Sequence, residues 1–311
     1  MSDAYHTPVL VDEVIRYLKP AGEGTYVDAT LGGGGHAESL LEQILPRGRL
    51  VAFDADLEAI EFSRKRLDRF AERITFVRDN FANLEQRLDE LGIHKVNGVL
   101  MDLGVSSHQL DETGRGFSFQ RDSRLDMRMN GTQQRDAWSI VNHYEEGRLA
   151  DCLWLYGEER YSRRIAKAIV TAREQGAITT TRELATIVEA TVGQQFVQKT
   201  LARIFQAIRI VVNDELENLR SGLRSAAARL APQGRLVVIS YHSLEDRIVK
   251  EYFREESRTF TKSVHKLIPD SPRQHLLTLV TKKPIEATVG EIARNPRARS
   301  AKLRVAERVD A

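Results

Sequence analysis

The residues best placed to do chemistry in this chain stand where apolar runs stop. Asp54 closes Arg49-Leu50-Val51-Ala52-Phe53, Asp102 closes Val96 to Met101, and Asp79-Asn80-Phe81 follows Ile74-Thr75-Phe76-Val77-Arg78. A carboxylate at a strand end can accept from ribose hydroxyls or an amino group, and an aromatic ring beside it can stack on a purine. A further run, Tyr26-Val27-Asp28, stops at four consecutive glycines, Gly32 to Gly35, followed by His36 and a helix expected from near Ala37. Glycines there allow left-handed backbone and close approach, and the helix start offers free amide donors. The set suits a nucleoside-bearing cofactor. The glycines do not say which one, because Gly32-x-Gly34-x-x-Ala37 also fits the dinucleotide fingerprint and Asp54, about 20 residues on, serves either ligand. Asp54 could instead cap the helix expected from Leu57, a role equally open to Asp56. Several polar strand ends meeting at one crevice fit an adenosine-plus-amino-acid cofactor better than a nicotinamide dinucleotide.

These residues need a sheet to bring them together. Strands are expected at Thr25–Asp28, Arg49–Phe53, Ile74–Val77, Val96–Met101 and, much later, Arg235–Ser240, alternating with amphipathic helices as in a parallel α/β layout. Roughly 130 residues separate Leu103 from Arg235, where a strand-helix-strand crossover needs about 30. That gap reads as an inserted helical domain, with periodic stretches over Ala137–Tyr144, Leu149–Tyr156, Arg163–Arg173 and Glu183–Val192, and a capping box at Thr180 and Glu183. A long helix with Leu216, Leu219, Leu223, Ala227 and Leu230 on one face returns to the sheet, ending at Pro232-Gln233-Gly234. His275–Thr281 and Ala301–Arg308 then form an antiparallel hairpin, foreign to an all-parallel dinucleotide domain. The expected organisation is a Rossmann-like sheet domain over 1–107 and 213–311, interrupted by a helical insertion over 108–212.

Composition bounds the rest. The 311 residues are 41% hydrophobic and 29% charged with a net charge of +2, so a nucleic-acid site must be a local patch. The one cysteine, Cys152, beside Leu153 and Trp154, reads as a buried thiol and excludes a disulfide framework. No metal site is expected, since His6, His36 and His242 lack ligand spacing. No apolar run would cross a bilayer and no signal peptide is evident, making the cytoplasm the expected compartment.

Nine ordered motifs resemble the bacterial small-subunit ribosomal RNA methyltransferase H family nearly end to end. They are His6-Thr7-Pro8-Val9-Leu10, Gly34-Gly35-His36, Asp102-Leu103-Gly104-Val105-Ser106-Ser107, Arg115-Gly116-Phe117-Ser118-Phe119, Leu125-Asp126-Met127-Arg128-Met129, Tyr156-Gly157-Glu158-Glu159-Arg160, Phe205-Gln206-Ala207-Ile208-Arg209, His242-Ser243-Leu244-Glu245-Asp246-Arg247 and Asn295-Pro296-Arg297-Ala298-Arg299-Ser300. The resemblance implies a class I S-adenosylmethionine-dependent methyltransferase acting on N4 of a cytidine in 16S ribosomal RNA near the decoding centre, on an assembled or assembling small subunit. It implies S-adenosyl-L-methionine contacts at Gly34, Gly35, His36, Asp54, Phe81, Asp102 and Gln109. The chain departs from the pattern at Leu31-Gly32-Gly33-Gly34, where many members have an aromatic and an arginine, and at Ala202, where many have threonine.

A cytosine amino group is a poor nucleophile, so the site must accept its hydrogens, align nitrogen with methyl and exclude water. Asp102 is the expected acceptor, with His242 and Asp126 as alternatives. His242 could equally be a helix-start residue, and Asp126 could pair with Arg124 or Arg128. Two basic stretches are expected to meet RNA. Arg115, Phe117, Phe119, Arg121, Arg124 and Arg128 interleave charge and rings, and Arg297 and Arg299 lie in a C-terminal patch with Arg294, Lys302 and Arg304.

Overall fold

The computed structural model describes residues 8–106, 114–261 and 270–310. The chain divides into two compact units, one formed by Met1–Gly104 with Leu216–Ala311 and the other by Val105–Glu215.

The first unit is built on β1 (Thr25–Asp28), β2 (Arg49–Asp54), β3 (Ile74–Arg78), β4 (Val96–Asp102) and β5 (Leu230–Ser240). They lie parallel in the order β3-β2-β1-β4-β5. Burial on both faces explains the unbroken apolar runs: Leu50 to Phe53 and Val99 to Met101 are almost fully buried. The chain order reverses beside β1, which pairs with β2 on one side and β4 on the other; ligands of such sheets bind at that switch point, outside the carboxyl ends of the strands. The sheet continues through β8 (Lys302–Arg308), antiparallel to β5 and to β6 (Leu277–Leu279), with β7 (Ile285–Glu286) also on β8. The Pro232-Gln233-Gly234 signal falls inside β5, not before it: Gln233 takes φ 61°, and the β4 register slips between Val96 and Gly98 to absorb the irregularity.

The covering helices are α1 (Val11–Leu18), α2 (Gly35–Gln43), α3 (Leu57–Arg66) and α4 (Leu84–Glu90), and, later in the chain, α10 (Glu215–Arg229), α11 (Ser243–Glu256) and α12 (Val289–Arg294). Asp56 caps α3 by accepting from the Glu58 amide, which frees Asp54 for other work. Gly222 on α10 makes room for Phe81, since a Cβ there would lie 2.5 Å from the ring.

The second unit is helical between these strands in sequence: α5 (Ala137–His143), α6 (Glu146–Gly157), α7 (Ser162–Arg173), α8 (Thr181–Val192) and α9 (Val197–Asn213). Thr180 and Glu183 form the expected capping box, and Asp136 with Ser139 forms another on α5. Leu149, Leu153, Ile165, Ile169, Leu184, Val188, Ile204 and Ile208 share one core. Cys152 is buried there, and burial pushes its thiol up to about 12, so it stays protonated. The helix α9 has no counterpart among the periodic stretches expected from sequence. It starts at Phe196 without a side-chain cap, leaving no start signal to read.

Candidate active site

The glycine turn after β1 is held from outside. The Gly32 amide donates to Asp54 Oδ2 at 2.8 Å, Ser63 Oγ donates to the Gly32 carbonyl at 2.8 Å, and Arg66 donates to the Gly33 carbonyl at 3.0 Å. Gly32 and Gly34 take φ 49° and 75°, the left-handed region that favours glycine. A Cβ on Gly35 would lie 2.8 Å from Pro8 and one on Gly34 3.0 Å from Ser63 Oγ, so the turn is fixed by its packing as well as its dihedrals. Gly34, at the N-cap of α2, has no side chain to satisfy the first amides of the helix.

Asp102 sits at the end of β4 and is anchored through three groups. Its amide donates to Thr30 Oγ1 at 2.6 Å, its Oδ1 accepts from the Tyr241 hydroxyl at 2.8 Å, and its Oδ2 lies 3.6 Å from His36 Nδ1. The other imidazole nitrogen, Nε2, is 2.9 Å from the Val9 carbonyl, which can only accept, so Nε2 carries a hydrogen. Burial, then the Asp102 charge, raises the Tyr241 phenol well above its ordinary range, so it remains a donor.

Asp28 completes the set. It is 1% exposed, its Oδ1 accepts from the Thr30 amide, and its Oδ2 has no hydrogen-bond partner among the described residues. Burial pushes its carboxyl up to about 6; His36 and the Thr30 amide pull it down, while the charges of Asp102 and Asp54 push the same way as burial. Three mutually repelling carboxylates at adjacent strand ends form an acceptor-rich, anionic rim. Such a rim repels a pyrophosphate and attracts a ligand carrying a sulfonium, an ammonium and ribose hydroxyls. The residues therefore fit S-adenosylmethionine and count against a nicotinamide dinucleotide. Phe81 follows β3 in a short helical turn capped by Asn80, half-buried. Gln109 lies outside the described residues.

The alternative acids are engaged elsewhere. His242 caps α11: its Nδ1 accepts from the Glu245 amide at 3.4 Å and its Nε2 lies 3.2 Å from Glu245 Oε1. Asp126 belongs to the helical unit and takes both Arg128 Nε at 2.8 Å and Nη2 at 2.7 Å. Burial favours its neutral form, but the Arg128 hydrogen bonds and charge hold its carboxyl below the usual range.

The arginine-aromatic stretch is partly scaffold, which corrects the reading of it as a stacking platform. Phe117 is 6% exposed within the helical core, because Gly116 at φ 72° turns the chain inward. Phe119 packs edge-on against Phe205 at 5.5 Å. Arg115 donates to the Arg128 and Met129 carbonyls, and Arg128 ties down Gly131 and Gln133. Arg124 and Arg299 are exposed and Arg297 is half-buried, whereas Arg304 is buried on Asp246. Asp28 and Tyr241 carry no sequence signal beyond their position at strand ends.

An open parallel sheet of this order, a glycine turn after β1, acidic ends on β1, β2 and β4, and an antiparallel closing strand define a Rossmann-like, S-adenosylmethionine-dependent methyltransferase. The model of the MraW methylase family matches residues 3–309, and this chain belongs to that family. Among curated relatives, the ribosomal RNA small subunit methyltransferase H of Geotalea uraniireducens is 46% identical over 99% of this chain and 100% of its own. Proteins of the same name from Heliobacterium mobile and Geobacter sulfurreducens are 44% and 47% identical, each over 98% of this chain and 99% of theirs. Among the described residues no helix is long and apolar enough to cross a membrane.

Proposed function

We propose that this enzyme methylates N4 of a cytidine in 16S ribosomal RNA near the decoding centre, on an assembled or assembling small subunit in the cytoplasm, with the helical unit contributing RNA recognition. The observation that carries the reading is the Asp28, Asp54 and Asp102 rim beside the glycine turn, with Asp102 oriented by Tyr241. The names of relatives matching over nearly their whole length support the choice of RNA.

S-adenosylmethionine, when bound, supplies an electrophilic methyl group that needs no further activation. Gly34, Gly35, His36, Asp54 and Phe81 would hold it, together with Asp28. The task left to the chain is the nucleophile. Asp102 accepts a hydrogen of the cytosine amino group, favours the geometry in which the nitrogen lone pair leaves conjugation with the ring, and holds the proton that N4 must lose. Tyr241 and the Thr30 anchor fix that carboxylate in place, so little reorganisation accompanies the reaction. The cytidine must be unstacked to reach the crevice; the exposed Arg299 of the sheet unit and, separately, the exposed Arg124 of the helical unit are proposed to meet RNA phosphates.

Transfer of isotopically labelled methyl to small subunits and to naked 16S RNA, followed by digestion and mass spectrometry, tests the reading. Label on cytidine N4 is expected. Label on another base, or on none, overturns it.

A further inference from the structure

One helix carries a charge pattern that neither the cofactor site nor the core explains. From Arg160 to Arg173 the sequence contains Arg160, Arg163, Arg164, Lys167 and Arg173 and no acidic residue. Arg173, in the last turn of α7, is used structurally: it donates to the Val141 and Tyr144 carbonyls. The other four are exposed, and none is held in an ion pair among the described residues.

Their position is unfavourable to folding. Arg163 and Arg164 occupy the first turn of α7, with Arg160 just ahead of it, where the helix dipole opposes positive charge by about 0.3–1 kcal/mol per residue. Helices α3, α8 and α11 carry acids in that turn, as the dipole favours. The nearest buried acid, Glu159, offers no relief, because its oxygens take the Tyr161 amide at 2.9 Å and Arg203 at 3.5 Å. Meanwhile Ile165, Ala166 and Ile169 pack inward, so α7 turns an uncompensated basic face to solvent. Arg163 and Lys167 are one turn apart, about 6 Å along the axis, and Tyr161 beside them is 42% exposed.

We infer that the exposed face of α7, formed by Arg160, Arg163, Arg164 and Lys167 with the Tyr161 ring, is a docking surface for the RNA substrate's phosphate backbone. The inference deepens the proposed function and rests on it. A polyanion compensates four cations that no ion pair among the described residues compensates, and an exposed ring at the helix start offers a base a stacking surface.

The test is the triple substitution Arg163→Gln, Arg164→Gln, Lys167→Gln in the full chain, with filter binding to 16S RNA between 50 and 200 mM salt. Affinity should fall at least tenfold at the low-salt end. The log-log salt slope should become shallower by about 2, from three lost contacts at roughly 0.7–0.9 each. KM for RNA should rise in parallel, with kcat at saturating RNA and cofactor affinity by calorimetry unchanged. The charge-preserving pair Arg163→Lys, Arg164→Lys should keep affinity within about twofold. Wild-type affinity and slope in the triple variant would overturn the inference, as would equal losses in the lysine pair. Loss on assembled subunits but not on naked RNA would also overturn it, pointing to a protein neighbour. If the wild type neither binds nor methylates RNA, the proposed function fails with it; if it does both and the triple variant matches it, only the surface is wrong.

Discussion

Two groups of carboxylates in this molecule meet opposite fates. Asp126 in the helical unit sits against Arg128, which matches it with two side-chain hydrogen bonds and its own backbone amide. Asp28, Asp54 and Asp102 crowd the carboxyl edge of the sheet, where backbone amides, the Tyr241 hydroxyl and the His36 imidazole face them. A fold that needs an acid only for its own stability pairs it. One that buries an acid beside two others bears a cost, first from burial and then from their charges, which a cationic ligand can offset. The contrast separates two aspartates that look alike in sequence, each beside arginine- or glycine-rich loops, and supports the proposal that Asp102 carries the chemistry.

The largest effect should come from removing that acid. Asp102→Ala is expected to lower kcat by two to four orders of magnitude, the usual contribution of a positioned acid or base. Asp102→Asn keeps an oxygen for the Tyr241 hydroxyl, so its cofactor affinity should stay within several-fold of wild type while turnover still falls. Single-turnover methyl transfer with calorimetric cofactor titration separates the two. Normal turnover in both variants would erase the distinction between the rim and Asp126.

Next in size is the cost stored at Asp28. Its carboxyl is held at about 6 in the fold against an ordinary 3.8, so the fold favours the neutral form. That contribution is complete below about pH 4 and disappears as the pH climbs through 6, leaving the wild type about 3 kcal/mol less stable at pH 7 than an unperturbed carboxyl would. Asp28→Asn should therefore raise the urea midpoint at pH 7 and leave it unchanged near pH 4, while weakening cofactor binding. Parallel pH profiles for the two proteins would show that burial does not penalise the charged Asp28 carboxylate.

The sequence made the sheet legible because burial on both faces leaves continuous apolar runs, and a polar residue at each end marks where the chain leaves the sheet. Asp54, Asp102 and the glycine turn could be read for that reason. The helices α1 and α9 could not: Leu10 and Phe196 at their starts provide no side-chain cap, and α9 is rich in β-branched residues, Ile204, Ile208, Ile210, Val211 and Val212, that also suit strands. The burial of Phe117 is not legible in Arg115-Gly116-Phe117, because only the left-handed turn at Gly116 sends the ring inward. Tyr241 and Asp28 matter through partners 139 and 74 residues away, Asp102 in both cases, and such contacts exist only after β1, β4 and β5 pair.

The smallest effect on catalysis, and the sharpest check on the contrast, belongs to Asp126. Asp126→Asn removes the ionic partner of a guanidinium that also braces the Gly131 and Gln133 carbonyls, so the loop between Leu125 and Asp136 should loosen. The expected cost is about 1–3 kcal/mol, that of breaking a partly buried charged hydrogen bond. Its pH dependence runs opposite to that of Asp28. The folded carboxyl is held below its ordinary range, so its stabilisation is full above about pH 4 and fades as acid protonates it. Thermal melting from pH 3 to 7 should show the variant and wild type converging at low pH. Turnover per folded molecule should stay within about twofold of wild type. A loss of turnover matching Asp102→Ala, with the melting profile unchanged, would move the acid chemistry into the helical unit.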